Sequence, residues 1–214
     1  MTSSAPAAAG LFAPGRFAFD GVLIAGQDAL CRRLGEQFRA GGARVTLAGP
    51  SPDEPGFLAC DLEDAAAIAA AFAAAGDVSL LVTASRPSSG DLDQWRGDVS
   101  GALDRHFLFA SEFTRRRLAA GAAGSVLMLM SSDVLKAQAA DPAAVTAAHA
   151  LSSLIKTLSV EWARDGVRVN GLAFGDDLVS AVNLALYLLS PYGAYITGSI
   201  AIADGPEVGA GVFI

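Results

Sequence analysis

Short, largely apolar runs alternate along this chain with longer stretches of helical period. Val22-Leu23-Ile24-Ala25 is the clearest run, and 43–48, 57–60, 78–83, 125–130, 167–173 and 199–203 follow it. A strand that is apolar on both faces must be covered on both, and strands separated by helices return parallel. Between them lie helical stretches at 30–40, up to Ala75, and at 92–120, 142–165 and 177–189. The first carries Leu30, Leu34 and Phe38 on one face and stops at Gly41-Gly42. This alternation predicts a three-layer α/β fold with a doubly wound parallel sheet and helices on both faces.

With 214 residues, 52% of them hydrophobic, the chain can bury one large core. Residues 1–16, rich in Ala, Ser, Pro and Gly, read as a flexible arm, and 17–214 as a single domain. The arm lacks the basic start and unbroken apolar run of a secretory signal. The net charge of −7 repels nucleic acid and anionic membrane, so neither is expected as a partner. The uncharged stretch 178–203 is broken by Asn183, Pro191, Gly193 and Gly198, and reads as a helix, a turn and a core strand. Cys31 and Cys60 read as small buried hydrophobes in a reducing cytoplasm.

In such sheets ligands bind beyond the carboxyl ends of the strands. The loops of interest follow Ile24, Leu47, Cys60, Thr83, Met130 and Ala173. A dinucleotide site needs several glycines in the first of these, yet only Gly26 stands there. Asp28 reads as a helix cap whose oxygen takes amides that a phosphate would use. After the second strand come Gly49, Pro50 and Ser51, without the carboxylate or arginine that would read a ribose. Asp53 and Glu54 lie a few residues late, as solvated loop charges.

Five motifs nevertheless stand in order along the chain: Gly42-Ala43-Arg44-Val45; Cys60-Asp61-Leu62-Glu63-Asp64; Gly124-Ser125-Val126 through Ser131-Ser132; Gly166-Val167-Arg168-Val169-Asn170; and Tyr195-Ile196-Thr197-Gly198 with Ala203-Asp204-Gly205. Through them the chain, from Phe19 to about Gly205, resembles the short-chain dehydrogenase/reductase family, whose fold is Rossmann-like. Matched residue by residue, the family's glycine turn is reduced to Ala25-Gly26, Ala29 and Cys31. Its Asn-Asn-Ala-Gly run becomes Thr83-Ala84-Ser85-Arg86, and its helix Asn becomes Ala102. Counting back from Asn170, its Tyr falls on Ala144 and its Lys on Ala148. Its serine survives as Ser131 or Ser132, and Asp61, used near the adenine, survives too.

Hydride transfer to a carbonyl needs a proton donor, and a tyrosine of pKa ~10 needs a nearby cation to serve near neutrality. The only tyrosines are Tyr187, Tyr192 and Tyr195, and none is followed four residues later by lysine. His149 is turned about 100° from Ala148 around a helix. His106, Asp133, Lys136 and Lys156 are not expected to stand in either. The segment that covers substrate in the family is also missing, since Phe174-Gly175-Asp176-Asp177 runs almost directly into a helix. No catalytic, cofactor-binding or metal-ligating residue is therefore assigned.

Family members associate through the helices they count as fourth and fifth, here 92–120 and 142–165, and through the last helix and strand. Ala143, Ala144, Ala147, Ala148, Ala150 and Leu151 suit either close helix approach in an interface or packing on the chain's own sheet. Val212-Phe213-Ile214 should dock on another subunit or on the chain's own body. The resulting expectation is a cytoplasmic, non-catalytic subunit, paired through those two helices with a catalytically competent relative. Together they would form a hetero-oligomer carrying out NAD(P)-dependent alcohol/ketone oxidoreduction, with NAD or NADP held by the relative and none by this chain. The alternatives are a homo-oligomeric binding or regulatory protein with a small ligand, and a divergent NAD(P)-dependent oxidoreductase.

Overall fold

The computed structural model describes residues 19–51, 56–84, 95–135 and 142–203. The arm at 1–16, Asp53, Glu54, Ser85, Arg86, Lys136 and the tail Val212-Phe213-Ile214 lie outside them. Seven strands form one parallel sheet: β1 (Gly21–Ala25), β2 (Arg44–Gly49), β3 (Phe57–Ala59), β4 (Leu80–Ala84), β5 (Gly124–Ser131), β6 (Val167–Phe174) and β7 (Ile200–Ala203). Their order is β3-β2-β1-β4-β5-β6-β7. The chain winds outward from β1 on one side and from β4 on the other, so the crevice of a doubly wound sheet opens between these two.

Among the described residues five helices cover it: α1 (Ala29–Ala40), α2 (Ala65–Ala75), α3 (Trp95–Ala119), α4 (Pro142–Trp162) and α5 (Leu178–Leu189). The apolar runs feed two cores because alternate side chains leave opposite faces. Leu23 and Ala25 join α2, α3 and α4, while Val22 and Ile24 join α1 and α5. Phe72 of α2 packs on Phe109 and Phe113 of α3, with ring centroids 6.1 and 6.5 Å away. The helical stretch expected at 142–165 tightens after Trp162 into a 3₁₀ turn, closed by Gly166 in the left-handed region at φ 75°. By length and composition 142–165 could cross a membrane, but its inner face is buried in the core beneath β5 and β6. The stretch 178–203 forms α5, a 3₁₀ turn and β7, as its interruptions imply.

Two residues of the fourth motif fasten the segment leading into β7. The Asn170 amide donates to the Ile196 carbonyl at 2.8 Å and accepts from the Ser199 N–H at 3.2 Å. Arg168 Nη1 donates to the carbonyls of Leu188 and Gly193 at 2.9 and 2.6 Å. The motif thus acts on the fold and not on the carboxyl edge.

Candidate functional site

At the carboxyl ends of β1 and β2, the described residues after Ala25 pack closely on their neighbours. Gly26 has φ 151°, and a Cβ there would lie 2.8 Å from the Ala84 Cβ, so only glycine can make this turn. Asp28 caps α1, its carboxylate accepting the Cys31 N–H at 2.7 Å. A free helix N-terminus attracts anions, and here a fixed carboxylate already occupies it. Gln27, between them, reaches over the end of β2. A Cβ on Gly49 would come within 2.4–2.6 Å of three Gln27 side-chain atoms, so the two are in close contact. The Gln27 Nε2 is buried there with no hydrogen-bond partner among the described residues.

The neighbouring polar groups are engaged locally. Asp61 accepts the Glu63 N–H at 3.0 Å and so caps its own turn. Glu63 takes two bonds from Arg105 of α3, at 2.9 and 2.6 Å. Both cysteines are free and buried. Burial first, then the charge of Asp28, pushes the Cys31 thiol well above its usual pKa, which suppresses thiolate chemistry.

Further along the edge, Ala144 and Ala148 are both buried on α4. Ser131 ends β5 and its hydroxyl accepts the Asp133 N–H at 3.3 Å; Ser132 is fully buried. His106 is buried on α3, one turn beyond Ala102, with Nδ1 2.6 Å from the Thr83 hydroxyl. Burial, with Arg105 adding to it, lowers its pKa from 6.5 to about 3. It is a neutral core group near pH 7 and no proton donor. His149 faces solvent with Nδ1 2.9 Å from the Val145 carbonyl, and Lys156 is exposed. Among the described residues no three of His, Cys, Asp and Glu converge as metal ligands.

Only residues 175–177 separate β6 from α5. Asp177 caps α5, accepting the N–H groups of Val179 and Ser180 at 3.1 Å each. Residues 175–177 thus form a defined turn into α5.

The small-residue face of α4 settles between its two readings. Ala143, Ala144, Ala147, Ala148 and Leu151 are buried in this chain, while Ala150 is only partly so. The outward face carries Thr146, His149, Ser153, Thr157 and Val160 instead. The hydroxyls of Thr146 and Thr157 bond back to the carbonyls of Pro142 and Ser153, at 2.8 and 3.0 Å, which makes that face less polar than its composition. Trp95, Phe107 and Leu118 on α3 and Val160 on α4 are exposed. So are Val179, Tyr192 and Tyr195, on α5 and the segment before β7. Among the described residues no large exposed hydrophobe lies on α1 or α2.

Sequence reading missed Gln27. Its only signal was a long side chain directly after the sole turn glycine.

At the level of sequence, no family model and no curated protein matches the chain. Its fold is shared with many solved structures. The TT0495 protein of Thermus thermophilus superposes with a TM-score of 0.77 at 26% identity, covering 87% of this chain and 97% of that one. A citronellol catabolism dehydrogenase of Pseudomonas aeruginosa gives 0.79 at 21%, covering 92% and 98%. A short chain dehydrogenase of Leptospira borgpetersenii, solved with bound NAD+, gives 0.77 at 18%, covering 86% and 91%.

Proposed function

We propose, for a chain whose fold is that of the short-chain dehydrogenase/reductases, a role without chemistry of its own: a structural subunit that pairs with a catalytically competent relative. The observation that carries this is α4, which buries Ala144 and Ala148 where the proton donor and its cation would have to stand. Among the described residues no group replaces them. His106 is neutral in the core, and His149 and Lys156 face solvent.

The residues present do not fit a dinucleotide. Asp28 sets a carboxylate at the helix N-terminus meant for pyrophosphate, and Gln27 covers the end of β2, where a ribose would be read. NAD or NADP belongs to the partner in this reading. The partner supplies the alcohol/ketone oxidoreduction, and this chain supports it by completing the oligomer.

The exposed hydrophobes support association. They lie on α3 with α4 and on α5 with the approach to β7, the elements through which the family resemblance implies association. Two free, buried thiols suit a reducing cytoplasm.

The test is co-expression with a full-length relative that keeps Tyr-x-x-x-Lys, followed by mass measurement of the purified complex and calorimetry with NADH and NADPH. A complex of fixed stoichiometry is expected, with neither nucleotide bound by this chain alone. Micromolar affinity for either nucleotide, or turnover of ketones by the isolated chain, would falsify the reading in favour of a divergent oxidoreductase.

A further inference from the structure

The amino edge of the sheet, opposite the crevice, holds a second cleft of about 270 Å³ between the starts of β4, β5 and β6 and the end of α5. Leu80, Ser125 and Arg168 all line it. They form one row, since Leu80 pairs with Ser125 and Ser125 with Arg168 in the strand registers. Register partners on neighbouring parallel strands leave the same face about 4.8 Å apart.

Two observations in this row point to a missing partner. Ser125 is only 3% exposed, and its hydroxyl has no hydrogen-bond partner among the described residues. Arg168 is half-buried and spends Nη1 alone, on the carbonyls of Leu188, Gly193 and Ile196. Its Nε–Nη2 edge meets no acceptor among the described residues, and no carboxylate pairs with it. Consistently, burial lowers the guanidinium pKa with no anion opposing the effect. The other arginines show what this edge is suited to. Arg105 turns its Nε and Nη2 to Glu63, and Arg115 turns the same two atoms to Glu112, at 2.6–2.9 Å.

We propose that this cleft binds a small monocarboxylate, held by the Nε–Nη2 edge of Arg168 with the Ser125 hydroxyl donating to the same group. A planar carboxylate matches the edge with two parallel bonds. One negative charge balances the one uncompensated cation, whereas a phosphate dianion would leave charge over. The cleft falls below the ~300 Å³ at which drug-sized pockets begin, which limits the ligand to a few carbons. Leu80, Leu189 and Pro191 line the remainder and suit a short alkyl tail.

The test is a titration of the full chain, labelled with ¹⁵N, with acetate and butyrate in carboxylate-free buffer at constant ionic strength. The Arg168 Nε–H resonance is identified by its loss in Arg168→Lys. It should shift saturably with both acids, at lower concentration for butyrate, and stay still with chloride. Ser125→Ala should weaken binding about tenfold, as a hydrogen bond to a charged group implies. Ser125→Asp places a carboxylate in the row itself, and should abolish the response while raising the melting temperature. The inference fails if no saturable shift occurs up to ~100 mM acid, where any binding is weaker than the ordinary millimolar range. It fails equally if chloride produces the same shift, or if Ser125→Ala binds as tightly as the unchanged chain. Should Ser125→Asp not fold, the resonance and the alanine variant still decide.

Discussion

His106 gives the sharpest quantitative expectation. The imidazole is fully buried against Thr83, and its pKa falls from 6.5 to about 3, chiefly through burial. The sign follows from proton linkage. The unfolded chain takes up a proton near pH 6.5 while the folded chain refuses it until about pH 3, so acid favours unfolding. Stability from this group is complete above pH 6.5 and lost progressively as pH falls toward 3. At about 1.4 kcal/mol for each pH interval of one, the loss is ~2 kcal/mol at pH 5 and approaches ~5 kcal/mol near pH 3. Carboxylates add their own losses in acid, so the comparison must be with His106→Gln, which cannot take up the proton. Urea unfolding of both chains at a series of pH values from 7.5 to 4.5 provides the measurement. The variant is expected to be less stable at neutrality by an amount set by packing, with a gap that narrows steadily below pH 6.5. If the two curves run parallel from pH 7 to pH 5, His106 does not resist protonation and is not an inert core group.

Four further outcomes follow from the same geometry. Val160 is 78% exposed, so Val160→Arg should shift isolated-chain stability by no more than about 0.5 kcal/mol yet dissociate the complex on gel filtration. Ala147→Arg should instead unfold the chain itself, because it buries an unpaired cation at a cost of several kcal/mol, visible as a collapsed melting temperature. Asp28→Ala removes the cap of α1 and should lower stability by about 1 kcal/mol in urea titration. The pair Ala144→Tyr and Ala148→Lys should produce no ketone-dependent NADH oxidation, because on the proposed reading the Asp28 carboxylate and the Gln27 side chain still disfavour a dinucleotide.

Much of the fold was legible because apolar runs carry their own period. The run at 22–25 marks a strand covered on both faces, and the structure divides it between two cores. Asp28 was legible as a cap because an aspartate just before a helical period has few other local uses. Periodicity gives a face, however, and not what lies against it. The alanines of α4 read equally well as interface or core, and only the placement of the helix over β5 and β6 decided for core. Gln27 was illegible for a related reason. A flexible side chain takes its position from tertiary space, here the bare backbone of Gly49, and nothing in the local sequence fixes that direction. Arg168 likewise belonged to a motif, but its spare edge depends on carbonyls of residues 188, 193 and 196 that are distant in sequence.

The link between β6 and α5 also bears on motion. In an enzyme of this architecture the rim above the sixth strand is the place where slow local opening would be sought, because a covering segment there must order and release with each turnover. Here three residues, fastened by Asp177 to the first turn of α5, leave little chain to open. The amides of Val179 and Ser180, held by the exposed Asp177 carboxylate, should exchange more slowly in the unchanged chain than in Asp177→Ala, though faster than those of the buried sheet. With only residues 175–177 between β6 and α5, the rim above the sixth strand is an edge of the fold and not a lid.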